Sequence, residues 1–174
     1  MDLALLVLRV VVGLLFVAHG SQKLFGSFGG GGLRATTDTF DTIGLRPARL
    51  HALAAGLSEL IGGTLLALGL VAPIGAALII AVMTAAIMTV HWSNGLWNTN
   101  GGFEFNLLVI AVAFAIAGVG SGNWSLDHVL GIDWMSTGWA LAALVAGVLG
   151  GLVTVLTGRM TAAREDRGAR PHPA

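Results

Sequence analysis

Apolar residues fall into five long blocks, Leu3–Leu24, Leu50–Val71, Ile74–Val90, Phe105–Val119 and Gly138–Thr157, separated by polar, glycine-bearing connections. A helix that crosses a bilayer needs about 20 mostly apolar residues, so the pattern predicts a bundle of spanning helices, of which Phe105–Val119 is short. A second pattern overlies the first block. Arg9, Gly13, Phe16, Gly20 and Lys23 recur at helical spacing, with His19 one turn before Lys23. An arginine near mid-span costs about 2.5–3.5 kcal/mol on insertion scales, so this polar, glycine-lined stripe is expected to face protein. In the first connection, Leu33, Phe40 and Ile43 follow Gly29–Gly32 with the spacing of a short interfacial helix. Gly44 ends that helix and Pro47 opens the second span. Pro73 marks a tight turn between the second and third spans. In the last span Ala143, Gly147 and Gly151 form a small-residue face for close helix packing, a candidate contact for a homo-oligomer.

Composition narrows the class. Apolar residues make up 55% of the 174 and charged residues 10%, against about 25% charged in ordinary soluble domains. The chain has no cysteine, which excludes disulfide, zinc-thiolate and thiol-redox chemistry from its own residues. Its formal net charge is zero, so no basic surface for nucleic acid is expected. No P-loop, dinucleotide fingerprint or HExxH is found, and no metal site is expected. Asp127 and Asp133, six apart in a loop, are a weak cation signal, and His51 and His128 read as interfacial or loop residues. The first block lacks a basic n-region and a small-residue cleavage site, so it is expected to be retained as a helix rather than removed. Lys23, Arg34, Arg46 and Arg49 lie in the first connection and Arg159, Arg164, Arg167 and Arg170 in the tail, whereas the Pro73 turn and residues 120–137 carry no Lys or Arg. With five spans both basic regions share a side, and the positive-inside rule puts the N-terminus outside and the C-terminus in the cytoplasm.

The intramembrane polar residues supply the candidate chemistry. Glu59 lies midway down the second span, flanked by Gly56, Gly62 and Gly63, and depth along the helices predicts that Arg9 reaches it to form a buried pair. Nearer the cytoplasmic end, His19, Lys23, Glu59, His91, Glu104 and Asn106 are expected to line one inward pocket, with His91 on a face shared with Thr84 and Met88. Two imidazoles, two acids and fixed cations are the inventory of a proton relay or a polar-headgroup site. His19, His91 and Glu104 are the candidate catalytic residues, and Arg9, Lys23, Glu59 and Asn106 the candidate ligand-binding ones. Each also has a structural reading: an Arg–Glu pair that only sets helix register, cations that snorkel to headgroups, and an acid that serves the amide end of its helix.

Arg9, the His19-Gly20-x-x-Lys23 closure, Glu59 with Gly62-Gly63, His91 and Gly101-Gly102-Phe103-Glu104 together resemble the DoxX family of small bacterial membrane proteins. The resemblance spans about Leu3 to Val119. It implies an all-α integral membrane bundle in the bacterial inner membrane with a four-helix core over residues 1–119. An extracytoplasmic loop is expected over 120–137; the fifth transmembrane helix expected over 138–158 and the basic, disordered cytoplasmic tail over 159–174 depart from the family pattern. One branch of the family resembles the membrane subunit of a thiosulfate:quinone oxidoreductase; another looks like a membrane anchor in an oxidant-defence complex with a superoxide dismutase and a thiosulfate sulfurtransferase. The expected function is a membrane component of a redox or thiol-stress system, whose pocket takes a quinone headgroup or a small oxyanion. Quinone is the cofactor this implies, and soluble redox or sulfurtransferase proteins are the partners. A membrane subunit of a quinone-linked oxidoreductase, a non-catalytic anchor for partner proteins and a small-molecule or ion transporter all remain open on the sequence.

Overall fold

The computed structural model describes residues 2–168, and helix is its only regular secondary structure among them. The elements are α1 (Asp2–Phe25), α2 (Gly32–Thr42), α3 (Ala48–Leu68), α4 (Ala72–Ala86), α5 (Glu104–Val119), α6 (Leu126–Val129) and α7 (Thr137–Gly168). Four helical stretches are long and apolar enough to cross a membrane: Asp2–Phe25, Ala48–Leu68, Ala72–Asn94 and Thr137–Glu165; Glu104–Val119 is apolar but shorter. All five expected blocks are therefore helical.

Glycine pairs set how the first two long helices meet. The buried side of α1 is Arg9, Gly13, Phe16 and Gly20, the stripe seen in the sequence. Gly13 lies against Gly63 and Ala67, and Gly20 against Gly56 and Leu60, so two small residues seven apart on one helix meet two seven apart on the other. A Cβ on Gly13 would stand 2.5 Å from the Gly63 carbonyl oxygen and 2.6 Å from the Ala67 amide nitrogen. Backbones this close leave no room for a side chain and gain dispersion along the whole seam, the favourable way to join helices in lipid.

Gly69 ends α3 in the left-handed conformation that glycine tolerates, and Pro73 sits in the first turn of α4. α7 then packs along α4 and α5. Its Gly147 faces Ile80 and the Ala77 carbonyl, and Gly151 faces Thr84 and the Ala81 carbonyl, while Ala143 joins the apolar core with Ile79, Ile80, Ala113 and Ile116. This corrects one expectation: the Ala143–Gly147–Gly151 face is filled from within the chain by α4 and is not presented to a second copy. A second correction concerns the tail. α7 continues to Gly168, so residues 159–168 are helical rather than disordered, held in part by Arg159 donating to the Met88 carbonyl and by an Arg46–Glu165 ion pair. Residues 169–174, including Arg170, lie outside the described residues.

The short helix expected in the first connection forms as α2, and Gly44, in the left-handed region, follows it. α2 packs on α1 and α3 at the end of the bundle where α1 finishes. Thr36 Oγ donates to the Lys23 carbonyl, which fastens α2 across that end.

Candidate functional site

A cavity of about 620 Å³ lies between α1, α3, α4 and α5 and is capped by α2. Five of the six residues expected to line a pocket do so: His19, Lys23, Glu59, His91 and Asn106. The rest of its wall is mostly apolar, including Val12, Leu15 and Phe16 of α1 and Leu108, Val109 and Val112 of α5.

The charged centre of this wall is not the pair expected. Lys23 Nζ donates to both oxygens of Glu59, at 2.7 and 2.5 Å. Glu59 is buried, at 2% exposure, while Lys23 keeps a partly open side chain. The glycine seam explains the choice of partner. With Gly20 against Gly56 and Leu60, Glu59 lies level with His19 and within reach of Lys23, whereas Arg9 lies level with Ala67 and Gly69, about 21 Å further along α1. The charge that meets Glu59 is thus an ammonium at the helix end, not the mid-span guanidinium.

Arg9 builds a separate network at the opposite end of the bundle. Its guanidinium donates to the Ala67 carbonyl at 3.1 Å and to the Trp124 carbonyl, and it packs on Gly69. Ala67 is in the last turn of α3, where carbonyls lack intrahelical partners and the helix dipole favours a cation. Asp127 joins the same end of the bundle, its amide donating to the Gly69 carbonyl at 3.0 Å. It also accepts from Ser121 Oγ at 2.7 Å and from the Val71 amide at 2.9 Å. Val71 is a β-branched residue at φ 41°, a strained conformation, and the Asp127 bond holds it there. Asp127, weighed in the sequence only as a weak cation ligand, is instead the buried anchor of the 120–137 connection. Asp127→Asn is expected to lower unfolding stability by about 2 kcal/mol, the scale for a buried hydrogen bond to a charged group; reversible unfolding in mixed micelles measures it.

The remaining candidates divide. α4 widens at its end into a π-helical turn over Ile87–His91, a feature often found at functional sites. This rotates Thr89, Val90 and His91 into the cavity wall while Thr84 packs on α7, so His91 and Thr84 do not share a face as expected. His91 Nδ1 lies 2.7 Å from the Gly101 carbonyl oxygen. A carbonyl only accepts, so Nδ1 carries the proton, and in the neutral ring Nε2 is the free base. Asn106 is buried, with its amide on Met83 Sδ at 3.4 Å. Glu104 does not reach the cavity: its carboxylate accepts from the Asn98 amide at 3.0 Å at the mouth of α5. It holds the loop before its helix, a structural role other than the one weighed for it at the amide end of its own helix. His51, which the sequence left without a role, is buried and lines the cavity, as do Thr39, Phe40, Ile43 and Leu45 from the α2 region.

A membrane helical bundle whose interior holds one apolar-walled cavity with convergent histidines and a neutralised ion pair is the class these features define. The comparisons with known proteins give the family: the DoxX family model matches residues 4–92, from α1 through the π turn that carries His91. The chain is also 32% identical over 117 residues to the Bacillus subtilis (strain 168) protein named "Putative oxidoreductase CatD", an alignment covering 67% of this chain and 81% of that one. The chain belongs to the DoxX family of membrane proteins. No solved structure matches it significantly.

Proposed function

We propose that this protein is a membrane component of a redox system and that its cavity binds a quinone headgroup. The observation that carries the reading is the cavity itself: a mostly apolar volume of about 620 Å³ with a few polar groups gathered from separate helices, the form of a small-molecule site. Of the two headgroup classes considered from the sequence, the geometry favours the quinone. An oxyanion needs an uncompensated cation, yet Lys23 is committed to Glu59 and Arg9 is at the other end of the bundle. A quinone is neutral, and its carbonyl oxygens need only hydrogen-bond donors, which the His19 imidazole and the Asn106 amide in the cavity wall can supply. His91 Nε2 is placed to accept a proton from the reduced form. The chain has no cysteine, so electrons come from the quinone or from a partner protein, and the relative's oxidoreductase name is consistent with that setting.

Both basic regions meet at the cavity end. Arg46 bonds Glu165 across from α7, and the Arg46 amide donates to the Gly158 carbonyl. By the positive-inside rule that end is cytoplasmic and the protein is a multi-pass inner-membrane protein with its N-terminus outside.

The test is direct. Protein extracted gently into nanodiscs should carry quinone in its organic extract and bind added quinone saturably, and Ala85→Phe, which fills the cavity, should weaken binding about tenfold. No extractable quinone together with no saturable binding would end this reading.

A further inference from the structure

We propose that the cavity opens sideways into the lipid between α1 and α5, and that its ligand is an uncharged-headed amphiphile that enters through this gap and leaves its tail in the bilayer. The head's identity rests on the quinone reading; the gap and the tail rest on separate observations.

The first observation is which walls are closed. α3 packs on α1 and α4, and α4 is backed by α7. α2 and Leu45 close the end of the bundle, with Phe40, Ile43 and Leu45 turned into the cavity and Leu45 bonded back to Phe40. α1 packs on α2 and α3, and α5 on α4 and α7, but α1 and α5 form no packed seam with each other. They flank a side of the cavity that no described helix covers. Three residues lining the cavity there are strongly exposed: Leu15 at 54%, Phe105 at 52% and Leu108 at 61%. Val90, Thr39, Ala54 and Asn98 also line the cavity and are exposed, so exposure shows that the cavity reaches the surface here, and it is the missing α1–α5 seam that selects this side.

The second observation is a gradient that appears independently on both flanking helices. Along α1 the lining runs from Lys23 and His19 at the α2 end to Phe16, Leu15 and Val12. Along α5, past the exposed Phe105 at its mouth, it runs from Asn106 to Leu108, Val109 and Val112 in the same direction through the bundle. A polar head therefore sits beside His19, Lys23, Glu59 and Asn106, and an apolar chain lies one to two turns deeper, beside the gap. A water-soluble anion would instead meet an ion pair already satisfied.

The test compares a long-tailed quinone with its tail-less benzoquinone headgroup in nanodiscs, using the full chain and a Leu15→Trp/Leu108→Trp variant that narrows the gap. A Leu14→Trp/Leu107→Trp variant is the control, since both residues are comparably exposed but lie outside the cavity wall. The gap variant should bind the long-tailed quinone about tenfold more weakly while binding the headgroup within about twofold of the unaltered chain, and the control should change neither. Equal weakening of both ligands, or of neither, overturns the proposal. A nitroxide-labelled fatty alcohol separates the two readings. If the chain binds it and the gap variant does not, while no quinone binds, the portal stands and the quinone reading falls. If neither probe binds the unaltered chain, both are wrong.

Discussion

Lys23→Ala should destabilise the folded bundle by about 3–5 kcal/mol, the cost of leaving one partner of a buried pair without the other. Glu59 is almost fully enclosed and has Lys23 on both oxygens, so removing the ammonium strands a carboxylate in an apolar wall. Lys23→Met combined with Glu59→Leu should recover most of that loss, because replacing both partners with apolar side chains removes the desolvation cost along with the attraction. Reversible unfolding in mixed micelles measures each variant. The same experiment locates the partner: Lys23 and Glu59 variants should couple strongly in a double-mutant cycle, whereas Arg9 and Glu59 variants should add to within about 0.5 kcal/mol, as separate sites do. Strong Arg9–Glu59 coupling would show that the register of α1 on α3 is wrong.

Gly13→Leu should prevent α1 from docking on α3. The added Cβ meets backbone atoms of Gly63 and Ala67 at 2.5–2.6 Å, and backbone in the middle of a helix cannot rotate aside. Overpacking commonly costs 1–3 kcal/mol, and this substitution should fall at or above about 3 kcal/mol, with loss of the Lys23–Glu59 and Arg9–Ala67 contacts that depend on the same seam. Gly150→Ala is the matched control, since its Cβ would find Ala81 Cβ at an ordinary 3.7 Å and should change stability little. Thermal unfolding followed by tryptophan fluorescence distinguishes the two; equal stability of both variants would rule out the close glycine crossing.

The spans were legible because block length and hydropathy report directly on the bilayer, and the stripe of α1 was legible because a buried arginine and two glycines share a helical phase. The partner of each charge was not. Depth arguments let a long side chain reach across several residues and so favour Arg9 for Glu59; the actual register comes from Gly13 on Gly63 and Gly20 on Gly56, a seven-residue spacing that both helices carry. Aligning those two glycine pairs alone puts Arg9 level with Ala67 at the end of α3 and Glu59 level with Val17, about 9 Å along the helix from Lys23 and within reach of its long side chain. His91 was found, but its face was misjudged, because a π turn shifts phase without leaving a mark in hydropathy. The role of Asp127 is not legible in the sequence because its bonds, to the Val71 amide and the Gly69 carbonyl, join segments far apart in the chain. The small-residue face of α7 was correctly seen as a packing face, and α4 is what it packs against.

The central claim is that Lys23 and Glu59 cancel each other in the cavity wall, so that the site accepts an uncharged head. Titration of the nanodisc protein with a long-tailed quinone and, separately, with thiosulfate tests it, using the unaltered chain and Glu59→Gln. The account predicts that the unaltered chain binds the quinone and not the anion, and that Glu59→Gln, by freeing the Lys23 charge, gains measurable thiosulfate binding. Thiosulfate binding to the unaltered chain that is indifferent to Glu59→Gln would contradict it.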